Sequence, residues 1–211
     1  MRVVLIDYGA GNLHSVEKAL VAAGVPLQRS DDPELARDAD ALVLPGQGHF
    51  GQVMRSFEGS GFAPVVADHL AAGRTFLGIC VGLQLLTRGS EEAPGVDGLG
   101  VLDAEVRRFP AGDVSVPQMG WNQIRPLGTP ALLAGVEAGA FVYFANSYYA
   151  TFPAGSVPSG AETTYGATRF LSAVSIGTLH ATQFHPEKSQ AVGLRVLRNF
   201  GDLVRAAERG A

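Results

Sequence analysis

Between Arg2 and Leu86, apolar residues recur in two alternating patterns, and few folds satisfy both. "RVVLID" (2–7), "ALVLPG" (41–46) and "TFLGI" (75–79) are unbroken apolar runs, as strands buried on both faces should be. Between them the spacing turns helical. Leu13, Val16, Leu20 and Ala23 recur at three- and four-residue intervals, Asn12 stands where an N-cap belongs, and Gly24 where a C-terminal glycine belongs. "PLQRS" (26–30) reads as a short strand with Pro45-Gly46 breaking the next one, residues 63–72 read as a helix, and an apolar helix "VGLQLL" follows Cys80. Strands alternating with helices imply parallel pairing, so the expected fold class is α/β, an open and mostly parallel sheet flanked by helices.

The second half changes character. "GVLDAEVRRF" (100–109), "GWNQIRPL" (120–127), "AFVYFANSYYAT" (140–151), "RFLSAVSIG" (169–177) and "TLHATQFH" (178–185) read as strands, several of them alternating. The last two suit a hairpin turning near Gly177. This half predicts an antiparallel extension. "SQAVGLRVLRNFGDLV" is amphipathic, with Val192, Val196 and Phe200 on one side and Ser189 as its expected cap. No fixed-period repeat or linker interrupts the chain, and 211 residues suit one substantial domain spanning 1–211 better than two.

Composition excludes several classes of function. The net charge is −4, with no basic cluster and no interleaving of basic with aromatic residues, which argues against nucleic acid. The apolar run in "MRVVLIDYG" is too short for a signal peptide, and no stretch approaches the ~18 apolar residues of a spanning helix. A single cysteine cannot form an internal disulfide, which fits a reducing compartment, and a cytoplasmic location is expected.

That cysteine, Cys80, lies in "GICVG" between a strand and a helix. Gly-x-Cys-x-Gly in this context has the form of a nucleophile elbow, a sharp turn that lifts a side chain above the sheet edge at a helix N-terminus. The terminus favours thiolate, and the next amide, that of Val81, can donate to an oxyanion. An inert core thiol would show the same apolar flanks. A nucleophilic cysteine needs a base. Of the five histidines, His14 and His69 read as solvated helix residues, and His180 as a satisfied or exposed strand residue. His185 opens "HPEKS" at a strand's C-terminal edge, where crevices form in open α/β sheets. If the chain is extended there, Glu187 projects to the same side and can orient the imidazole; the plain alternative is a strand end followed by a charged turn. "LPGQGHF" (44–50) is either a loop or a nest of free backbone amides. Nucleophile, base, orienter and oxyanion donors together make a hydrolytic site the economical reading.

"GICVGLQLL", "LPGQGHF" and "QFHPEKS" resemble the motifs of the class I, triad-type glutamine amidotransferases, which have a flavodoxin-like fold. "IDYGAGNLHSV", "PQMGWNQI" (117–124) and "YFANSYYA" (143–150) are similar to the glutaminase subunits of imidazole glycerol phosphate synthases within that family. The resemblance implies Cys80 as nucleophile on the glutamine amide, His185 as base and Glu187 as its orienter. Gly46, Gln47 and Gly48 form the amide loop, Gly48 and Val81 supply the oxyanion amides, Gln84 contacts glutamine, and Ser147 and Tyr148 lie against it. It further implies a heterodimer with a (β/α)8-barrel cyclase that receives ammonia and makes imidazole glycerol phosphate and AICAR in histidine biosynthesis. Asn12, Met119, Trp121, Asn122, Tyr143 and Lys188 match positions at or near that contact; core packing is the plain alternative for Trp121. No cofactor and no metal are implied. Gln47, His49 and Asn146 depart from the family's usual residues, which include histidine at the last of these positions. Rival expectations are the glutaminase subunit of another synthase, such as pyridoxal phosphate synthase, a stand-alone cysteine hydrolase, and a non-catalytic binding module.

Overall fold

The long apolar runs become strands buried at every position: Val3–Ile6 (β1), Ala41–Gly46 (β3) and Thr75–Cys80 (β4), with Leu27–Ser30 (β2) flanking the first. The computed structural model describes residues 1–9, 11–112, 114–153 and 158–210, so Ala10 of the "GAGN" turn lies outside the described residues. All contacts among these four strands are parallel, β2 with β1, β1 with β3 and β3 with β4. The connections run through Leu13–Ala22 (α1), Pro33–Arg37 (α2), Phe50–Gly59 (α3) and Phe62–Ala71 (α4). Asn12 caps α1 as its sequence predicts, Oδ1 accepting from Ser15 N at 3.4 Å. The helix ends on Gly24 at φ +78°, with Val25 N donating to Leu20 O and Gly24 N to Val21 O, both at 2.9 Å, a Schellman closure.

The expected break at Pro45 does not occur. β3 continues through Gly46 because β1 stops pairing after Val43, so beyond that residue β3 bonds only β4 and the missing proline N–H leaves no gap in a ladder. Tyr8 Oη also donates to the Pro45 carbonyl at 2.7 Å. The helices α2 and α3 are additions to what the sequence suggests. Asp32 and Pro33 start α2, Asp32 Oδ1 accepting from Glu34 N.

After β4 comes one short helix, Val81–Leu85 (α5), and then the antiparallel half. It comprises Glu105–Arg108 (β5), Gln118–Leu127 (β6), Ala140–Asn146 (β7), Tyr148–Thr151 (β8), Gly160–Tyr165 (β9), Thr168–Ile176 (β10) and Leu179–Thr182 (β11). The order in the main sheet is β2-β1-β3-β4-β11-β10-β9-β6-β7, while β5 and β8 pair separately. Thus the single run expected over 140–151 is two strands in different sheets, dividing at Ser147. β9 appears where no strand is expected, and only residues 105–108 of the 100–109 run form one. The hairpin at Gly177 (φ +55°) joins antiparallel β10 and β11. β11 then lies parallel to β4, with Thr182 opposite Ile79. That register brings the chain after Thr182 alongside Cys80.

Gln190–Gly210 (α6) closes the fold, with Val196, Leu197, Phe200 and Val204 buried and Val192 only partly so. Phe50, Phe57, Phe62, Phe76, Phe144, Phe184 and Phe200 are fully buried in the core. No described helix is long and apolar enough to cross a membrane.

Two histidines sit within this packing. His14 is exposed as expected, but His69 is buried, not solvated, because its Nε2 donates to the Thr75 carbonyl at 2.9 Å across the start of β4. His180 is buried and satisfied, its Nδ1 hydrogen-bonding Ser175 Oγ at 2.9 Å. Burial pushes His69 down and His180 down to about 4. His180 stays neutral in the fold while the unfolded chain takes up protons near pH 6.5, and its contribution is present above pH 6.5 and lost as pH falls toward 4; the lowered His69 acts in the same direction. His180 alone accounts for about 3 kcal/mol over that window. Urea titrations at pH 7 and pH 4.5 should show this loss, and His180→Asn, which can still bond Ser175, should flatten it.

Candidate active site

Cys80 closes β4 in a conformation that L-residues rarely adopt, φ +55° and ψ −110°. Such a backbone costs roughly 1–3 kcal/mol and persists only where its surroundings dictate it. Close packing dictates it here. A Cβ on Gly78 would lie 2.9 Å from Gly82 O, and one on Gly46 would lie 2.7 Å from Gly82 N. One on Gly82 would run into the Leu44 carbonyl oxygen. The end of β3, the elbow and the first turn of α5 thus touch backbone to backbone, with Val81 at the helix start. Gly48, at φ +117°, bends the "PGQG" loop over the same edge.

His185 approaches from the other side of β4. Its N–H donates to Tyr143 O at 2.9 Å, and its carbonyl accepts from Ser189 Oγ at 2.7 Å. Ser189 Oγ in turn accepts from Tyr143 N at 2.9 Å. Ser189 is thus occupied in fastening His185 to β7, and its side chain is not the cap of α6 that its position in the sequence suggests. His185 Nδ1 donates to Glu187 Oε1 at 2.8 Å. The pairing is the expected one, but its geometry is not: β11 ends at Thr182, and Pro186–Lys188 is a 3-10 turn that folds Glu187 back. Burial opposes charge on His185, yet hydrogen bonds and charge from Cys80 and Glu187 outweigh it and raise the imidazole to about 10. The ring therefore favours its protonated form at neutral pH, with Cys80 and Glu187 both acting to hold the charge.

A cleft of about 320 Å³ opens over the sulfur. Gln47, Gly48, Cys80, Val81 and Gln84 line one side, and Asn146, Ser147 and Tyr148 the other, where the chain leaves one sheet for another. Both walls are braced. Tyr148 O accepts from Gln84 Nε2 at 3.2 Å and from Asn146 Nδ2 at 2.9 Å, and Ser147 O accepts from Phe109 N at 3.0 Å. Since Gln84 Nε2 also donates to Gln183 Oε1 at 3.1 Å, both its protons are used inside the protein. Gln84 can meet a ligand only through its oxygen.

Two residues of this site are not singled out by the sequence. Glu92 is the only carboxylate lining the cleft among the described residues, with Oε2 accepting from Phe50 N at 2.7 Å. It comes from a loop with no local signal. Gln183 donates to Cys80 Sγ at 3.6 Å, and its only sequence cue is a position two residues before His185.

Next to the cleft, the outer face of β6 and β7 is apolar and open. Met119, Trp121 and Phe141 are 68%, 46% and 53% exposed, so Trp121 is not a core residue. Trp121 meets Tyr143 edge to face at 6.0 Å, and Lys188 Nζ lies 5.7 Å above the Tyr143 ring. Asn122 stands apart from this set: its Nδ2 donates to Thr164 O at 3.0 Å. Asn12 is exposed at the start of α1, which packs against the 186–188 turn.

The fold is that of a glutamine amidotransferase. Residues 4–203 match the family Glutamine amidotransferase class-I, to which this chain belongs. Within it, the chain belongs to the imidazole glycerol phosphate synthase subunit HisH family. It is 53% identical over 199 residues to that protein of Deinococcus radiodurans, covering 94% of this chain and 92% of the relative. The Thermus thermophilus protein is 53% identical over 197 residues, covering 93% and 95%. More distant solved structures share the fold. They include PurLQS from Thermotoga maritima, with TM-score 0.72 and 16% identity over 98% of this chain and 98% of that one. The glutaminase domain of Trypanosoma brucei CTPS has TM-score 0.69 and 15% identity over 98% and 94%.

The raised His185 has a direct test. Its contribution to stability should be present below pH 6.5 and be lost as pH rises toward 10. Nitrogen-15 NMR of the ring should show imidazolium at pH 8, and Glu187→Gln should lower the midpoint of the titration.

Proposed function

We propose that this chain is the glutaminase subunit of an imidazole glycerol phosphate synthase. It hydrolyses glutamine to glutamate and ammonia, and a (β/α)8-barrel cyclase uses the ammonia to make imidazole glycerol phosphate and AICAR in histidine biosynthesis. The observation that carries this reading is a strained Cys80 lining the cleft and coupled to His185, whose Nδ1 lies 2.8 Å from Glu187 Oε1.

The chemistry follows from the placement. The Cys80 sulfur, its proton held by His185, attacks the side-chain amide carbon of glutamine. The carbonyl oxygen gains the electron pair, and the N–H groups of Val81 and Gly48 are its proposed donors. The intermediate collapses to a thioester as His185 delivers its proton to the leaving ammonia. Water, deprotonated by His185, then attacks the thioester carbon; the C–S bond breaks, glutamate leaves and the Cys80 sulfur beside a protonated His185 is restored. Glu187 keeps Nδ1 protonated throughout, so Nε2 is the nitrogen that exchanges protons. Gln84 would accept from the substrate through its oxygen, and Glu92 would hold the α-ammonium. Gln47 and His49 leave the amide loop competent, because it acts through main-chain N–H groups.

The exposed Met119, Trp121 and Phe141, with the half-buried Tyr143 and Lys188 beside them, form the proposed docking face for the cyclase. An open aromatic and apolar patch next to the site is what a partner must cover if ammonia is not to escape into solvent. The chain is proposed to form one domain over 1–211 and to act in the cytoplasm.

Glutamate release should be slow from this chain alone and rise strongly when the cyclase and its nucleotide substrate are added. Cys80→Ser should abolish use of glutamine while ammonia-driven cyclisation continues. High activity without any partner would count against a role within a synthase, and an active Cys80→Ser would remove the mechanism. Glu92→Gln should raise the KM for glutamine roughly tenfold, as expected for loss of a charged hydrogen bond, with a smaller effect on kcat.

A further inference from the structure

The mechanism above leaves one fully buried polar side chain of the site without a task. Gln183 is wholly inaccessible, and its backbone N donates to Ser172 O at 2.9 Å, pinning the residue against β10. Its Nε2 donates to Cys80 Sγ at 3.6 Å, a normal length for a bond to sulfur, and its Oε1 accepts from Gln84 Nε2 at 3.1 Å. Gln84 Nε2 gives its other proton to the Tyr148 carbonyl at 3.2 Å. The direction of this chain is set at its far end. A backbone carbonyl only accepts, so Gln84 must present nitrogen there. The same nitrogen then faces the oxygen of Gln183, and the NH2 of Gln183 is left to face the sulfur.

We propose that Gln183 is a positioning residue for the nucleophile: its amide N–H holds Cys80 Sγ in place and supports negative charge on it, and its oxygen commits Gln84 to meeting the substrate as an acceptor. This rests on the glutaminase reading and adds to it a link between the sulfur and the substrate wall. Ground-state reactivity and substrate binding then share one chain of carboxamides. Losing the first link should affect the sulfur most, and losing the second should affect glutamine binding most.

Iodoacetamide alkylation of Cys80 at pH 7, followed by mass spectrometry, reads the sulfur without requiring turnover. Gln183→Met keeps the volume and removes the donor, and should slow alkylation roughly tenfold, the factor equivalent to one hydrogen bond to a charged group. Gln84→Met should slow it less and raise the KM for glutamine, whereas Gln183→Met should lower kcat more than it changes KM. The double variant should be no slower than Gln183→Met alone, because both act through one chain. Far-UV circular dichroism and the urea unfolding transition of each variant report that it is folded. A folded Gln183→Met alkylated within twofold of wild type, or strictly additive effects, overturns the proposal. If Gln183→Met does not fold, Gln84→Met decides alone, and unchanged alkylation there overturns it. A wild-type complex that releases no glutamate defeats the functional reading instead, whatever the alkylation rates.

Discussion

The crossing of three backbones at Gly46, Gly78 and Gly82 is the contact on which the site depends. Strand β3 and the first turn of α5 approach so closely that a single added methyl group would meet main-chain atoms. That approach gives Cys80 no room to relax from φ +55°, and the strained turn aims its sulfur out of the sheet edge. The energy stored there is about 1–3 kcal/mol, small beside the burial of β3 and β4, whose every residue is buried. The core therefore dictates the elbow, and the elbow the direction of the nucleophile.

The two halves of the molecule contribute different parts. The parallel half supplies Cys80, Val81 and the Gly46–Gly48 loop from strand ends on one edge. The antiparallel half supplies His185, Glu187 and the wall at Ser147 and Tyr148. They meet because β11 returns parallel to β4, opposite residues 76–79. His185 is then fastened to β7 through Tyr143 and Ser189, so the strand carrying the proposed docking face also holds the proposed base. One short hydrogen-bonded link therefore joins the proposed docking face to the proposed proton-transfer site.

Much of this was legible in residues alone, and the exceptions have physical causes. Buried strands and α1 follow from local periodicity and capping. Cys80 is marked by its glycines, and the His185–Glu187 pair by a two-residue spacing. Pro45 misleads as a strand breaker because the cost of a missing N–H depends on whether a neighbour needs it. His69 misleads because a polar side chain on a charged helix can still find a buried carbonyl. Ser189 looks like a cap, but its hydroxyl bonds strand β7. Glu92 and Gln183 are hard to find in the sequence, since each matters through a group distant along the chain, the Phe50 backbone N–H for one and the Cys80 sulfur for the other.

The sequence by itself determined the fold class, the parallel first half and the elbow, and it singled out Cys80, His185 and Glu187, the proposed nucleophile, base and orienter. All of these arise from interactions within a few residues of one another, which periodicity, glycine placement and short spacings record directly. Tertiary structure alone decided the strand order that places β11 beside β4, the switch between sheets at Ser147, the carboxamide chain from Cys80 to Tyr148, and which aromatic residues stay exposed. These depend on contacts between segments up to a hundred residues apart, and no local pattern encodes which distant partner a buried polar group will find.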